Sequence, residues 1–290
     1  MRAEAPAKLN LRLEILARED TGYHQLESVF CTIDLADELE LRAGPPGIRL
    51  EVTGAELGPP ERNLAHRAAV AFFRATGSEP ALTIRLDKRI PAGAGLGGGS
   101  SDAAATLRAL NELYGRPLDG PALMRLGAAL GSDVPYFVTG AALALVWGRG
   151  ERVLPLPPPP RAPVLLAVPP FAIATAEAYR ALDRQRGTAP VPRTIRLEDL
   201  STWDGLAATA ANDFEPVVFR AHPDLARLRD ALEALGARPA RLTGSGSTVF
   251  GIFESAAQRR AATAELARAF PHVRLIESFT AAASASAPVG

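Results

Sequence analysis

Pro91-Ala-Gly-Ala-Gly-Leu-Gly-Gly-Gly-Ser-Ser-Asp-Ala-Ala104 is the stretch from which the rest of the chain is read. Five glycines fall between Gly93 and Gly99, and an alanine-rich helical pattern follows at once. Glycine loses more backbone entropy on ordering than any other residue, so a rigid loop of this kind implies something only glycine permits. Close approach of backbone N–H groups to an anion is one such thing, and a tight entry into a helix whose first N–H groups face the same anion is another. Pro91, Gly93, Ala94, Gly95, Leu96, Gly97, Gly98, Gly99, Ser100 and Ser101 are therefore the candidate phosphate loop. Ser100 or Ser101 is expected to cap the helix, with Ala103, Leu107, Leu110 and Tyr114 as its buried stripe and Gly115 at its end.

Other glycine loops fit less well. A Walker loop ends in Gly-Lys-Ser/Thr, and no lysine follows these glycines. Gly93, Gly95 and Gly98 match Gly-x-Gly-x-x-Gly, but Ile90-Pro91 separates them from the preceding strand and no ribose-binding carboxylate is suitably placed. A flexible linker would not carry Leu96 at its centre between apolar strands and a helix.

Working outward, residues 5–16 alternate from Lys8 onward. Leu9, Leu11, Leu13 and Ile15 share one strand face; Lys8, Asn10, Arg12 and Glu14 share the other. That polar row is either solvated or, since Lys8 and Asn10 lie two residues apart, directed at one ligand. Asp20-Thr-Gly-Tyr-His24 is a turn before a strand over 25–33. Its Tyr23-His24 pair either packs locally or stacks on a base and bonds its edge. Residues 39–53 read as two short strands about a hairpin-like turn at 43–47. Asn63 opens a helix that stops at Gly77, 82–86 is a strand, and Asp119 precedes a helix over 121–130. In Gly131-Ser-Asp-Val-Pro135 the residue before proline is biased to extended backbone, and Asp133 either braces the turn or does chemistry. A strand pair over 141–156 follows. Pro157–Pro160 is a stiff joint, so 1–156 and 163–279 are the expected domains. Beyond it, Thr175 precedes a short helix over 176–182, 187–204 has no clear period, and 221–235 is amphipathic and stopped by Gly236. The Thr243–Thr248 block, with Gly244 and Ser245, is either a second anion-facing turn or a glycine hairpin. Ser255 and Gln258 suggest a capping box. A short strand over 273–276 precedes a small-residue tail from Thr280.

Of 290 residues, 47% are hydrophobic, enough for a large core, and the formal net charge is zero. Nucleic acid is not an expected partner. The single cysteine, Cys31, excludes an internal disulfide framework and a thiolate zinc site. With no long apolar run and no signal-peptide core, the expectation is a cytoplasmic protein without a membrane partner. Only Lys8 and Lys88 are lysines among 32 basic residues, which draws attention to Lys8 as a compact point charge. The arginine and proline usage suggests a heat-adapted host or simply its genome composition. Sequence leaves the oligomeric state open.

Pro6-Ala-Lys-Leu-Asn10, the Pro91–Ser101 loop, Gly131-Ser-Asp-Val-Pro135 and Leu242-Thr-Gly-Ser-Gly-Ser247 together resemble the motif series of the galactokinase, homoserine kinase, mevalonate kinase and phosphomevalonate kinase superfamily. Asp20-x-Gly-Tyr-His24 and Asn212-Asp-Phe-Glu-Pro216 are similar to the branch whose acceptor carries cytidine diphosphate. The resemblance runs from Pro6 to about Phe279. It implies a two-domain α/β (α+β) fold, with an N-terminal domain like ribosomal protein S5 domain 2 and a ferredoxin-like C-terminal domain. It further implies ATP as phosphoryl donor on the glycine loop, Lys8 and Asp133 as catalytic groups, and Asn10, Tyr23 and His24 as substrate contacts. Phe171 is expected on the base's other face, and Thr175, Gly244 and Ser245 near the phosphates. Mg²⁺ is expected to arrive with ATP, touching Ser100 or Ser101, with no dedicated protein cage. The alternatives are a mevalonate- or homoserine-like acceptor, or an ATP-binding interaction protein without catalysis.

Overall fold

The computed structural model describes residues 1–56, 58–185 and 194–282. Strand β1 (Arg2–Arg18) runs antiparallel to β2 (His24–Ala43), with Lys8 opposite Thr32 and Asn10 opposite Phe30. β2 is one strand of 20 residues, longer than the sequence pattern indicated. The hairpin expected about residues 43–47 does not form. β3 (Gly47–Thr53) pairs parallel with β4 (Ala81–Asp87), which lies between β2 and β3. The intervening helix α1 (Leu64–Thr76) makes that crossover possible. Asn63 caps it by accepting from Ala65 N, and Gly77 ends it in the left-handed conformation.

Helices α2 (Gly98–Leu113), α3 (Gly120–Leu130) and α4 (Val134–Thr139) follow. With α1 they share one core with Phe30, Leu39 and Leu41 of β2. Helix α4 was not foreseen: Val134, biased to extended backbone by Pro135, begins a helix with proline in its first turn, where a missing N–H costs nothing. β5 (Leu143–Gly148) pairs with β2 and with β6 (Arg152–Leu156).

A second sheet has the order β11-β7-β10-β9, from β7 (Pro163–Val168), β9 (Ala240–Leu242), β10 (Val249–Ile252) and β11 (Arg274–Phe279). Between β7 and β9 lie α5 (Thr175–Gln185), α6 (Trp203–Thr209), a two-residue strand β8 (Ala211–Asn212), α7 (Glu215–Ala221) and α8 (Pro223–Ala234). α6 begins at the very end of the 187–204 stretch that showed no period and runs on beyond it, and α9 (Ala256–Ala269) precedes β11. Ser255 caps α9, but the Gln258 amide reaches Gly236 O rather than closing a capping box. Residues 187–193 of the expected connection, residue 186 before them, and 283–290 of the tail lie outside the described residues.

β1 joins the two sheets. It pairs with β8 through Arg12 and Leu13, and Leu9 and Leu11 pack with Val164, Leu166, Phe250 and Ile252 of the second sheet. Lys8 and Asn10 face the other way, but a bulge between Asn10 and Arg12 exchanges the faces beyond it. Leu13 and Ile15 follow on the side of Lys8 and Asn10, in a separate core with Leu165 and Leu242. Arg12 and Glu14, opposite Val29 and Glu27, take the side of Leu9 and Leu11. The single polar row and single leucine row expected from the alternation therefore do not form. Covering both faces fixes the register.

Candidate active site

The glycine loop enters α2 directly. Its N-cap is Gly97 at φ 73°, without a side-chain hydrogen bond, so neither Ser100 nor Ser101 caps the helix as the sequence suggested. The triple glycine forms the first turn and leaves the first N–H groups open to a cleft of ≈ 780 Å³. Pro91 to Ser100 line that cleft; Ser101 is buried outside its wall. Thr243 Oγ1 donates to Gly95 O at 3.1 Å and Thr248 N to Ala94 O at 3.3 Å, so the second sheet's loop clasps the glycine loop.

That clasp explains Gly95. Its φ is 80°, and a Cβ there would stand 2.1 Å from Thr243 O. Gly95→Ala is therefore expected to lower Tm more than Gly22→Ala, which carries similar φ strain in open space. The strain alone costs about 1–2 kcal/mol, and the difference between the two melts isolates the backbone clash. Equal melts would show that the clasp yields at no cost.

Lys8 leaves β1 beneath this loop, and its own N–H donates to Leu96 O at 3.0 Å. Its Nζ donates to Asn10 Oδ1 at 2.5 Å, lies 3.5 Å from Asp133 Oδ2, and sits 4.6 Å from the Phe30 ring centre. Burial pulls the Lys8 ammonium below its ordinary range, against the opposing pull of Asp133. Asn10 Oδ1 also accepts from Gly244 N at 2.8 Å, and one Nδ2 hydrogen goes to Ser28 Oγ at 2.9 Å. Expected as a substrate contact, it lies on the cleft wall, where it also holds the ammonium and the 243–248 loop together. Thr175 Oγ1 and Ser245 Oγ are 2.9 Å apart on the cleft wall with Gly244.

Lys88 is a group the sequence reading passed over. It is buried between Asp37 and Asp102, 2.6 Å from Asp102 Oδ2, while Asp37 also accepts from the Arg89 and Ile90 N–H groups. Burial pushes the Asp102 carboxyl upward, and the Lys88 ammonium holds it back. The pairing turns Asp102 toward a cation beneath the helix entrance, and both partners reach the cleft wall. The signal was available: Lys88 is the other of only two lysines.

At the far end the cleft is lined by Leu13, Leu26, Tyr179 and Phe214. Tyr179 lies parallel to His24, ring centres 4.4 Å apart, and edge-on to Phe214 at 4.9 Å. Burial raises the Tyr179 hydroxyl to about 12, helped by the charges of Asp133 and Asp183. His24 Nε2 is 2.7 Å from Asp183 Oδ1. Tyr23 is exposed outside the wall, with the Arg149 guanidinium 4.3 Å from its ring centre. Arg149 also pairs with Glu19 and, by that bond first, holds its carboxyl down to about 2. Phe171 is not brought to the wall: it stacks on His222 at 4.9 Å, and the ring beside His24 is Tyr179. Tyr179 was missed because the stretch over 176–182 was read only as a short helix, with no ring singled out on it. Asn212 carries the 242–244 loop, its Nδ2 donating to Leu242 O and Gly244 O at 2.7 and 2.9 Å.

A second concavity, ≈ 710 Å³ on the outer sheet face, is lined by Glu38, Glu51, Arg85 and Asp87 among others. Arg85 and Glu51 are paired and more than half exposed there, away from the glycine loop. The cleft with Lys8 and Asp133 is the one that combines an anion-facing helix with a carboxylate and an ammonium. Fold and site thus define an ATP-dependent small-molecule kinase.

Comparison with known proteins agrees. The family model "GHMP kinases N terminal domain" matches residues 63–141 and "GHMP kinases C terminal" residues 195–272. The 4-diphosphocytidyl-2-C-methyl-D-erythritol kinase of Citrifermentans bemidjiense is 42% identical over 268 residues, covering 91% of this chain and 94% of the relative. That of Pelotomaculum thermopropionicum is 40% identical over 283 residues, covering 96% and 97%. A crystal structure of 4-(cytidine 5'-diphospho)-2C-methyl-D-erythritol kinase superposes with a TM-score of 0.79 at 36% identity, covering 97% of this chain and 100% of that one. L. major mevalonate kinase superposes with a TM-score of 0.70 at 17% identity over 99% and 97%, a likeness of fold alone. The chain belongs to the GHMP kinases and, within them, to the 4-diphosphocytidyl-2-C-methyl-D-erythritol kinase family, with their mixed α/β two-domain fold.

Proposed function

We propose that this chain transfers the γ-phosphoryl group of ATP to the 2-hydroxyl of 4-diphosphocytidyl-2-C-methyl-D-erythritol, giving the 2-phosphate and ADP in the non-mevalonate route to isoprenoid precursors. The observation that carries the reading is Lys8 Nζ 3.5 Å from Asp133 Oδ2, between an open helix N-terminus and an aromatic recess in one cleft. The cleft forms between residues 1–156 and 163–279, read as two domains. The cytoplasm, where ATP is available, is the proposed setting; among the described residues no helix is long and apolar enough to cross a membrane.

The triphosphate lies along the glycine loop, its β- and γ-phosphates on the first N–H groups of α2. The acceptor's base enters the recess by Tyr179, His24 and Tyr23, and its diphosphate runs past Thr175, Gly244 and Ser245. In-line transfer asks the protein chiefly for alignment and charge compensation. Asp133 takes the proton of the 2-hydroxyl as the oxygen–phosphorus bond forms and the bond to the ADP oxygen breaks. Lys8 stabilises the attacking oxygen and the moving phosphoryl group, and Asn10 keeps the ammonium pointed there.

Among the described residues no three His, Cys, Asp or Glu side chains gather into a metal site. The oxygens available to Mg²⁺ are Ser100 on the cleft wall and Asp102 Oδ1, which is buried without a hydrogen-bond partner. That sparse set fits an ion bound mainly by phosphates and water. When bound, Mg²⁺ supplies neutralisation of charge on the phosphate oxygens.

The test is ADP release with Mg-ATP, offering the cytidyl substrate beside mevalonate, homoserine and methylerythritol phosphate. Turnover with the cytidyl compound alone is expected; turnover with another acceptor would keep the kinase and discard the assigned pocket. In the same assay Tyr179→Ala is expected to raise the acceptor KM by about tenfold or more through lost stacking, within the roughly 1–3 kcal/mol of a base–aromatic contact. Tyr23→Ala is expected to have a smaller effect of the same kind. An unchanged KM in Tyr179→Ala would remove that ring from the base site.

A further inference from the structure

Asp183 is a charged residue that the reaction itself does not use. It lies on α5, faces the first residue of β2, and so links the second unit to the edge of the acceptor recess. Its Oδ1 is 2.7 Å from His24 Nε2, and its Oδ2 is 3.8 Å from Arg18 Nε on β1. Aspartate side chains are ordinarily ionised at neutral pH. An ionised carboxylate has no hydrogen to give, so the hydrogen between the two residues belongs to Nε2. In a neutral imidazole the other nitrogen, Nδ1, is then an acceptor. Among the described residues no hydrogen bond engages Nδ1. The ring cannot easily turn to exchange its nitrogens: the His24 side chain is 9% exposed and is held face to face with Tyr179.

We propose that Asp183 is a positioning residue which fixes His24 in the Nε2–H form and thereby sets the choice of pyrimidine. This rests on the cytidyl acceptor of the preceding section. Cytosine presents a 4-amino group, which donates to an acceptor at Nδ1. Uracil presents a 4-oxo group, which also accepts and meets Nδ1 lone pair to lone pair. A buried site built around an acceptor discriminates strongly against a ligand that leaves it unpaired. One carboxylate, remote from the transferred phosphoryl group, thus determines which nucleotide-linked acceptor is bound. Replacement by asparagine removes that control. Either end of the amide can face Nε2, so both imidazole forms become available.

Two measurements on the full chain test this. The first is the nitrogen chemical-shift pattern of the histidines by NMR, simple because the chain has only 4. Wild-type His24 is expected to be protonated at Nε2 with a bare Nδ1; Asp183→Asn is expected to show both forms. The second is specificity, read as kcat/KM for the cytidyl acceptor against its uridyl counterpart, and as binding of CDP against UDP. Asp183→Asn is expected to narrow the cytidyl preference by about tenfold or more. The change should come mainly through a higher cytidyl KM, with kcat at saturation within about threefold, because Asp183 touches neither reacting group. Asp183→Glu, which restores an accept-only partner, is expected to regain part of the preference. A wild-type His24 protonated at Nδ1 overturns the inference even if the variants fail to fold. So does a variant that keeps the wild-type preference. No turnover of the cytidyl compound by wild type would sink the reaction reading instead, while the NMR and the CDP–UDP comparison would still decide the role of Asp183.

Discussion

Asp133→Ala is expected to lower kcat by roughly 10²–10⁴-fold, with little change in the KM for ATP and little change in Tm. The geometry separates these three outcomes. Asp133 stands at the N-cap of α4 but makes no capping hydrogen bond there, so its removal takes nothing from the helix. Its side chain is about one-third exposed, and its ion-pair partner is Lys8 at 3.5 Å. A carboxylate that braces nothing and faces an ammonium across a cleft has the properties of a proton acceptor. In the proposed reading ATP is held elsewhere, by the loop and the first turn of α2, which is why only a small change in its KM is expected. The decisive readout is single-turnover phosphoryl transfer at saturating ATP and acceptor. Near-wild-type rates would remove Asp133 from the base role, and a collapse of Tm would recast it as a brace for the turn.

The same residue shows how far the sequence could be read. Its position in Gly131-Ser-Asp-Val-Pro135 was legible, but not its local structure, because the bias of a residue before proline is outweighed when proline sits in a helix's first turn. The glycine loop was legible because five glycines have few physical explanations. Its exact register was not: the helix begins at Gly98, two residues before the first serine proposed as its cap, and serines are good caps only where the chain has not already turned. Lys8 and Asn10 were legible as neighbours on one face of β1. The bulge that moves Arg12 and Glu14 to the other face was not, since a strict period of two leaves no place for an extra residue. The aromatic recess was half legible. Tyr23 and His24 are neighbours in sequence, whereas Tyr179 and Asp183 reach His24 only after β2 and α5 have been brought together across some 155 residues. Long-range partners of this kind leave no local pattern. Lys88 and Asp37 are a milder case, 51 residues apart and joined by the pairing of β2 with β4.

Lys8→Met is expected to separate activity from stability, with turnover falling by about 10²–10³-fold while Tm holds or rises. Two opposing effects act on the ammonium. Burial disfavours its charge, and Asp133 favours it, but burial is the larger, so the group titrates below its ordinary 10.5. Between that lowered value and 10.5 the unfolded chain binds more protons than the folded one, so stability contributed at this site rises as pH rises through the window. At neutral pH the folded protein therefore carries the cost of a buried charge, which methionine abolishes. The partners left behind are not stranded. Asn10 Oδ1 keeps Gly244 N, and Asp133 is open to water. The thioether also lies well against the Phe30 ring that the ammonium now faces. Lys8→Arg is expected to fail in turnover as well, despite its charge. The Lys8 stem passes so close to the glycine loop that a Cβ on Gly97 would already meet its Cγ at 3.1 Å, leaving no room for a planar guanidinium. Melting curves of wild type and Lys8→Met from pH 7 to 11, beside their turnover, read both effects together. A variant that loses activity and also melts well below wild type at pH 7 would mean that the ammonium's hydrogen bonds outweigh its desolvation, and that Lys8 stabilises the fold as well as the transition state.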